Sequence, residues 1–156
     1  MAAIAPELRA WLRPGLAGMI ATADASGRPE LSRIWALRVD PDRDRIEVYV
    51  QRTVSVRLLQ NLAHSERAAL NAVEVDTYRS RLFKGRCAVS AAPIDEALLE
   101  ACLTAMGEAF SSVGMPDGAV STILSHADAP RDMVGLVLEV DCVFDQSPKP
   151  GAGARL

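Results

Sequence analysis

The order of its strand-like and helix-like segments limits what this chain can fold into more than any other feature. Three strand-like segments, separated by the turn sequences ASGRP and DPDRD, come first, and only one short helix precedes the next two strands. A parallel sheet needs a helix after each strand, so this order favours an antiparallel barrel. The predicted strands lie at residues 16–24, 31–39, 46–51, 68–75, 81–91 and 133–144, and the short helix lies at 54–63.

Further helices and a tail complete the predicted architecture. Apolar residues at helical spacing after Pro93 predict an amphipathic helix; they are Leu99, Cys102, Leu103, Met106 and Phe110. A shorter helix is expected at 118–126, and the segment MAAIAPELRAWL is expected to dock as a short helix. The chain is thus predicted to be mainly β, a six-stranded antiparallel barrel with two or three peripheral helices at 1–146. Residues 147–156, rich in Gly and Pro, are predicted to form a flexible tail.

The distribution of charge indicates a small anionic ligand rather than a nucleic acid. The net charge of −3 argues against a dedicated nucleic-acid binder, because that partner needs many phosphate contacts. Residues 28–86 nevertheless carry 12 Lys or Arg against 8 acidic residues, while residues 87–156 carry 3 against 10. A local basic region of this kind fits a small anion, although a solvated basic surface gives the same pattern.

Cysteine and histidine usage gives no sign of disulfides or of a metal site. Cys87, Cys102 and Cys142 form no CxxC pair and are odd in number, which predicts reduced, buried thiols in a cytoplasmic protein. No apolar stretch reaches the ~18 to 20 residues of a membrane span, so no membrane partner is expected. His64 and His126 have no Cys, Asp or Glu at metal-ligand spacing. We therefore assign no metal and no catalytic residue.

Arginines and hydroxyl residues around the first helix are the candidate binding groups. Thr53, Ser55 and Arg57 stand at its start, where free N–H groups and partial positive charge favour a phosphate. Alternatively, Ser55 or Thr53 only caps the helix and Arg57 points into water. Arg33 and Arg38 lie in the second strand at an odd separation, so a regular strand would point their side chains to opposite faces. Both reach one ligand only if that strand bulges or twists, or if one of them serves a partner subunit.

Three stretches of the sequence, in this order and spacing, resemble the pyridoxamine 5′-phosphate oxidase-like FMN-binding split-barrel family. They are IATADASGRPELSRIWALRVD, IEVYVQRTVSVRLLQNLAHSERAAL and FKGRCAVSAAP, and the resemblance covers about residues 8–145. It implies a homodimer with one FMN at each of two sites between the subunits, and a small-molecule substrate.

The resemblance also implies roles for particular residues. The strand from Arg33 to Arg38 would run beside the flavin and reach its phosphate, and residues 49–51 would lie against the ribityl chain and ring. Ser55 and Arg57 would hold the phosphate, and Ser80 falls near a position where the oxidase has a glutamine facing the flavin. The implied cofactor-binding residues are Arg33, Ile34, Trp35, Ala36, Arg38, Tyr49, Val50, Gln51, Ser55, Arg57 and Ser80.

Function follows from the resemblance as a set of hypotheses. The first is an FMN-binding oxidoreductase that transfers hydride through the flavin, with deazaflavin as an alternative cofactor because it also presents a phosphate and a tricyclic ring. Leu58 replaces the family's second basic residue at the helix start, and substrate residues near the C-terminus are not evident, so vitamin-phosphate oxidation itself is not expected. The second hypothesis is a non-catalytic carrier or sensor of flavin, deazaflavin or haem. The third is a purely structural barrel.

Overall fold

Seven antiparallel strands and four α-helices make up the computed structural model over the residues that it describes, 3–127 and 130–156. In chain order they are α1 (Pro6–Trp11), β1 (Ala17–Ala23), β2 (Pro29–Arg33), β3 (Ala36–Val39), β4 (Arg45–Gln51), α2 (Val56–Ser65), β5 (Arg67–Val73), β6 (Ser80–Val89), α3 (Glu96–Ser112), α4 (Asp117–Ser125) and β7 (Met133–Asp145), with a 3₁₀ turn at Pro130–Asp132. The strands form one sheet in the order β2-β1-β5-β6-β7-β4-β3. The predicted mainly β, antiparallel fold with peripheral helices is confirmed.

The seventh strand arises because the extended segment predicted at 31–39 is broken in its middle. The backbone N–H of Ile34 donates to the carbonyl of Gly18 on β1 (3.1 Å), whereas that of Trp35 donates to the carbonyl of Tyr49 on β4 (2.8 Å). β2 and β3 therefore pair with strands at opposite ends of the sheet order. The segment 29–39 therefore joins the two edges of the sheet. If β2 and β3 are counted as one bent strand, the sheet has the six strands predicted from the sequence.

Gly18 makes this closure possible. A Cβ atom at Gly18 would lie 2.6 Å from the backbone oxygen of Asn71 on β5 and 3.0 Å from Cδ1 of Ile34. These distances are shorter than van der Waals contact, so a side chain at this position would push β5 and the strand break apart. The absence of a side chain lets the backbones approach closely.

Two apolar clusters pack on the two faces of the sheet. Val48 and Val50 belong to the barrel interior with residues such as Ile20, Leu70 and Phe83. Tyr49, between them in sequence, belongs to a second cluster with Trp35 and the apolar stripe of α3. Alternating residues of a strand face opposite sides, so α3 covers the outer face of β4. Of the described helices, none has the length and apolar character to cross a membrane.

The N-terminal segment docks against the barrel as predicted. The backbone N–H groups of Ala3 and Ile4 donate to the carboxylate of Asp44 at 2.7 and 3.1 Å. The guanidinium of Arg9 donates to the same carboxylate at 2.6 Å, and Ile4 and Trp11 are buried. These contacts fix α1 across the turn before β4.

The C-terminal segment turns back onto the end of β7. The backbone N–H of Leu156 donates to the carbonyl of Val143 (2.9 Å), and that of Gly153 donates to the carbonyl of Asp145 (2.6 Å). The Asp145 carboxylate accepts from Arg81 (2.8 Å) and also pairs with Lys149, and hydrogen bonds from Lys149 and Ser147 lower its pKa. The flexibility expected for residues 147–156 stays a prediction.

The cysteines differ in exposure. Cys87 and Cys102 are buried, as predicted, whereas Cys142 is partly exposed because it alternates with the buried Val143 on β7. The prediction that all three are buried is therefore wrong for Cys142. Burial raises the pKa of the Cys87 thiol to about 12, which keeps that thiol protonated at neutral pH.

Candidate functional site

Buried hydrogen bonds fix α2 against the sheet. The hydroxyl of Ser32 on β2 donates to the hydroxyl of Ser55 at 2.8 Å, and both residues are at least 95% buried. Thr22 on β1 donates to the carbonyl of Leu58 at 3.3 Å, and the Asn61 amide donates to the Thr22 hydroxyl at 3.2 Å. Because buried polar groups are costly to leave without partners, these bonds determine where the start of α2 lies on β1 and β2.

Neither predicted capping residue caps α2. Ser55 occupies the N-cap position but its side chain makes no capping hydrogen bond, because its hydroxyl is bonded to that of Ser32. The Thr53 hydroxyl donates instead to the Asp132 carboxylate at 2.5 Å. The prediction that the Ser55 or Thr53 side chain caps α2 is therefore wrong, and among residues 3–127 and 130–156 no side chain accepts from the N–H groups of the first turn of α2.

A cleft of about 290 Å³ opens at this helix start. It is lined by Glu30, Leu31, Ser32, Thr53, Val54, Val56, Arg57 and Leu58. The Arg57 side chain is 73% exposed and its guanidinium lies 3.3 Å from the Glu30 carboxylate. An exposed ion pair of this length contributes little to stability, so Arg57 can exchange Glu30 for another anion at small cost.

A larger groove adjoins this cleft. It has a volume of about 520 Å³ and is lined by Asp24, Ala25, Ser26, Arg28, Glu30, Arg57, Gln60, Asn61 and His64. Glu30 and Arg57 belong to both cavities and so form the boundary between them.

The structure separates the predicted arginines. Arg33, at the exposed end of β2, has its guanidinium carbon 5.4 Å from the centre of the Trp35 ring, within cation–π range. Arg38 on β3 pairs with the carboxylates of Glu47 and Asp95 and lines a different cleft, with Ser90 and Ala92. The structure therefore does not bring Arg38 to the cleft at the start of α2, which Arg57 lines.

The groups around Arg38 serve α3. Asp95 is the N-cap of α3, and its carboxylate accepts from the backbone N–H of Leu98 at 3.0 Å. This bond, with a further contribution from Arg38, holds the pKa of Asp95 below its usual value. The Tyr49 hydroxyl accepts from the backbone N–H of Asp95 at 2.9 Å, and burial raises the pKa of Tyr49. These contacts account for Arg38 and Tyr49 as residues that hold α3 on the sheet.

Most of the remaining predicted site residues have buried side chains. Five of them are at most 5% exposed, namely Ile34, Trp35, Ala36, Tyr49 and Val50, so a ligand could meet them only through backbone atoms. Gln51 is half-buried at the end of β4, opposite Met133. Ser80 donates to the Asn71 side chain at 2.8 Å and lines neither the cleft nor the groove.

Ser32 is the residue that the sequence interpretation missed. It lies on the buried side of β2, in a position where alternation predicts an apolar side chain. A lone hydroxyl residue at an inward position was the available signal. It could not be interpreted without knowing that Ser55, 23 positions later, packs against it.

The described part of the chain holds no group of three or more His, Cys, Asp or Glu residues that could bind a metal ion. It therefore offers no candidate metal centre. The groups that could hold a ligand are those of the cleft and the groove beside α2.

Comparison with known proteins identifies the fold. No family model matches the chain. A search of curated proteins also gives no match. Among solved structures, HupZ of Group A Streptococcus is similar at 15% identity, with a TM-score of 0.54 and coverage of 97% of this chain and 98% of that one.

Two further structures are similar at the same level. An F420 reductase is 15% identical over 86% of this chain and 94% of that one (TM-score 0.53). A Clostridium acetobutylicum protein related to general stress protein 26 of B. subtilis, of the pyridoxinephosphate oxidase family, is 14% identical over 85% and 80% (TM-score 0.51). This chain therefore has the split-barrel fold of the pyridoxamine 5′-phosphate oxidase-like proteins, as its resemblance predicted.

Proposed function

We propose that this chain binds a phosphorylated flavin-type cofactor, FMN or a deazaflavin, and uses it as an oxidoreductase. The observation that carries the proposal is the Ser32–Ser55 hydroxyl pair, buried at an uncapped helix start with Arg57 beside it. Structures that share the fold include an F420 reductase, which supports a cofactor of this class.

The cleft has the groups that a phosphate needs. The N–H groups of the first turn of α2 carry partial positive charge, and helix starts of this kind commonly bind phosphate. Ser55 lies at that turn, and its hydroxyl proton is not used in the bond from Ser32, where it accepts. Arg57 would leave Glu30 and donate to the phosphate. When bound, a flavin or deazaflavin supplies hydride-transfer chemistry, and the chain binds and orients it.

The ring of such a cofactor would need a second wall. Exposed apolar side chains surround the cleft, among them Leu31, Val54 and Val56 in its lining and Met19 on the neighbouring strand, and they are 43–72% exposed. Exposed apolar patches of this kind mark interaction surfaces. We therefore propose a homodimer in which the partner covers this patch, and light scattering of the purified protein should give twice the chain mass.

A non-catalytic binding protein is the second candidate. Glu30 supports it, because a carboxylate already paired with Arg57 adds negative charge where a phosphate would bind. Such a protein would carry flavin, deazaflavin or haem without turnover. For haem, the only histidine in the groove is His64, so a Soret band that survives His64→Ala would exclude this residue as the ligand. A cytoplasmic location stays a prediction.

An absorption spectrum of freshly purified protein, followed by mass spectrometry of the released ligand, tests the proposal. A flavin or deazaflavin spectrum that is lost in Arg57→Ala and retained in Arg43→Ala supports it; Arg43 is an exposed arginine in the turn before β4. A colourless protein that also fails to take up FMN or deazaflavin contradicts it. Reduction of the bound cofactor by NADH, NADPH or a substrate would separate the enzyme from the carrier.

A further inference from the structure

A separate groove of about 330 Å³ lies along the first half of α3, and we call it the α3 groove. Its lining consists of five residues of α3 and two residues that follow α4; they are Glu96, Leu99, Glu100, Leu103, Thr104, Ala127 and Pro130. The helix residues lie three, four, seven and eight positions after Glu96, which places them on one helix face. The groove therefore follows α3 for about 12 Å at 1.5 Å per residue. It shares no lining residue with the cleft or the groove beside α2.

The floor of the α3 groove is apolar. Leu99 and Ala127 are buried, and Leu103 is half-buried. A Cβ atom at Gly107 would lie 3.1 Å from Cδ1 of Leu124, so α4 lies against α3 at this point. The groove opens on the N-terminal side of this crossing, where no residue of α4 lines it. An apolar side chain from outside the chain can therefore pack on this floor.

The carboxylates at the rim of the α3 groove differ from those of the sheet. Glu96 and Glu100 are exposed, and neither makes an ion pair among residues 3–127 and 130–156. By contrast, each acidic residue of the seven strands pairs with an arginine. These pairs are Glu30 with Arg57, Glu47 with Arg38, Glu139 with Arg45, Asp141 with Arg67 and Asp145 with Arg81. The chain thus balances the negative charge of the strands but not that of the α3 groove.

The spacing of the two glutamates is unfavourable for α3 alone. Glu96 occupies the first turn, where the partial positive charge of the helix start favours a carboxylate. Glu100 lies one turn later, four positions after Glu96, and like charges at this spacing destabilise a helix. A cation bound beside the two carboxylates would remove this repulsion. Helix stability therefore does not explain Glu100, whereas the binding of a cationic group does.

The charge of the surrounding sequence favours a basic partner. Residues 87–130 contain six acidic residues and neither Lys nor Arg, and the next cation along the chain, Arg131, does not line the groove. This excess of negative charge repels nucleic acids and anionic membrane surfaces. Lysine and arginine side chains can instead lay their apolar stems on Leu99 and Leu103 while their charged ends reach the glutamates.

A second copy of this chain fits the α3 groove less well than another protein does. Its basic residues are concentrated at 28–86, which form strands and α2, so the copy would dock through a surface different from the one that receives it. Such a head-to-tail contact produces rings or open filaments. The twofold dimer proposed above needs a self-complementary surface, which an unbalanced acidic groove does not provide.

We infer that the α3 groove docks an amphipathic helix of a partner protein that carries lysine or arginine beside its apolar stripe. Helices that bind in grooves place apolar side chains at i, i+3 and i+4, and the length of the α3 groove matches about two helical turns. The apolar side chains would pack on Leu99, Leu103 and Ala127, and the flanking cations would pair with Glu96 and Glu100. This docking role is additional to the proposed cofactor binding and does not depend on it.

A defined peptide tests the inference by fluorescence anisotropy with the full chain. The probe is a labelled helix of about 15 residues with leucines at helical spacing and flanking lysines, and a comparison probe has glutamine in place of each lysine. We expect the lysine probe to bind at least about tenfold more tightly than the glutamine probe. Glu96→Gln/Glu100→Gln should weaken binding of the lysine probe by about tenfold, because it removes two charge pairs.

Two further variants serve as controls, and circular dichroism verifies that each is folded. Glu7→Gln/Asp42→Asn changes the net charge by the same amount at exposed positions outside the α3 groove, and it should leave binding within about twofold. Thr104→Lys places a cation four positions after Glu100, in the order that stabilises a helix. It should therefore preserve the fold and abolish binding of the lysine probe.

Four results would overturn the inference. The lysine probe does not saturate the chain at about 0.15 M salt, or the glutamine probe binds as tightly as the lysine probe. The Glu7→Gln/Asp42→Asn variant weakens binding as much as Glu96→Gln/Glu100→Gln does, which would show that only net charge attracts the peptide. Finally, light scattering detects self-association that Glu96→Gln/Glu100→Gln removes, which would assign the α3 groove to a second copy of the chain.

Discussion

The two halves of the segment 29–39 have the same extended backbone but different environments. β2 ends in a cleft open to solvent, with the Ser32 hydroxyl at its base and exposed Leu31 and Arg33 beside it. β3 begins under α3, where Trp35 and Ala36 are buried and Arg38 is held by Glu47 and Asp95. The backbone changes partner between Ile34 and Trp35, so one half is available for binding and the other is used in packing.

This difference explains why arginines in one strand need not serve one ligand. In a regular strand Arg33 and Arg38 would face opposite sides, so both could reach one ligand only through a bulge or twist of that strand or if one of them served a partner subunit. The strand instead breaks between them and pairs with β1 on one side and β4 on the other. Arg38 then meets the acidic start of α3 rather than the start of α2.

The largest expected effect on stability comes from Trp35, in the part of the segment 29–39 that packs under α3. Replacing Trp35 with Ala should lower the free energy of unfolding by about 3–5 kcal/mol, because a large buried ring is lost from the cluster under α3. Urea unfolding measures it, with Val54→Ala, at a 72% exposed position of the cleft, as the control that changes little. A loss below about 1 kcal/mol would mean that the chain just after the strand break is not packed under α3.

The hydroxyl pair of Ser32 and Ser55, at the cleft where β2 ends, should change the free energy of unfolding by a smaller amount. Ser32→Ala or Ser55→Ala alone should cost about 1–3 kcal/mol, because each leaves the other buried hydroxyl without its partner. The double variant should cost less than the sum of the two single variants. Denaturant unfolding of the four proteins gives the coupling, and simple additivity would show that the two hydroxyls do not interact.

The smallest expected effect is the pH dependence of the stability that Asp95 provides at the start of α3. Hydrogen bonding to Leu98 and the charge of Arg38 lower the pKa of folded Asp95 from its ordinary value of 3.8, so its contribution to stability is present above that value. The contribution is lost as the pH falls through the folded pKa. Asp95→Asn should therefore lower the melting temperature at about pH 7, and the difference should shrink at about pH 3.

Asp42→Asn provides the control for this prediction, because Asp42 is an exposed residue of the turn before β4. It should change the melting temperature little at either pH. A difference for Asp95→Asn that stays constant or grows towards acid pH would contradict the role of the carboxylate charge at the start of α3.

Local sequence patterns predicted much of the fold. Turn residues and alternation place the strands, and the apolar stripe from Leu99 to Phe110 places α3, because these signals depend only on neighbouring residues. The strand break was not predictable in this way, since Ile34 and Trp35 are adjacent in one extended segment and the break shows only in which strands accept their N–H groups. The alternating pattern of β4 predicts a half-buried strand in which Tyr49 faces solvent. It could not show that α3 covers Tyr49.

The candidate site was predicted only in part, because only some of its residues are close together in the sequence. Ser55 and Arg57 are two positions apart at a helix start, so sequence alone brings them together. Ser32 and Glu30 reach them across more than 20 positions, and Asp95 reaches Arg38 across 57. Partners at such separations are determined by strand register and helix docking, which the sequence pattern does not reveal.

The most direct test of the account compares the two arginines in one binding experiment. FMN is titrated into the wild-type apoprotein, Arg57→Ala and Arg38→Ala, with binding followed by flavin fluorescence. The account predicts that Arg57→Ala weakens binding by about tenfold to hundredfold, as expected for a lost charged hydrogen bond, while Arg38→Ala leaves it within about twofold. Weakened binding in Arg38→Ala with unchanged binding in Arg57→Ala would contradict the placement of the phosphate at α2.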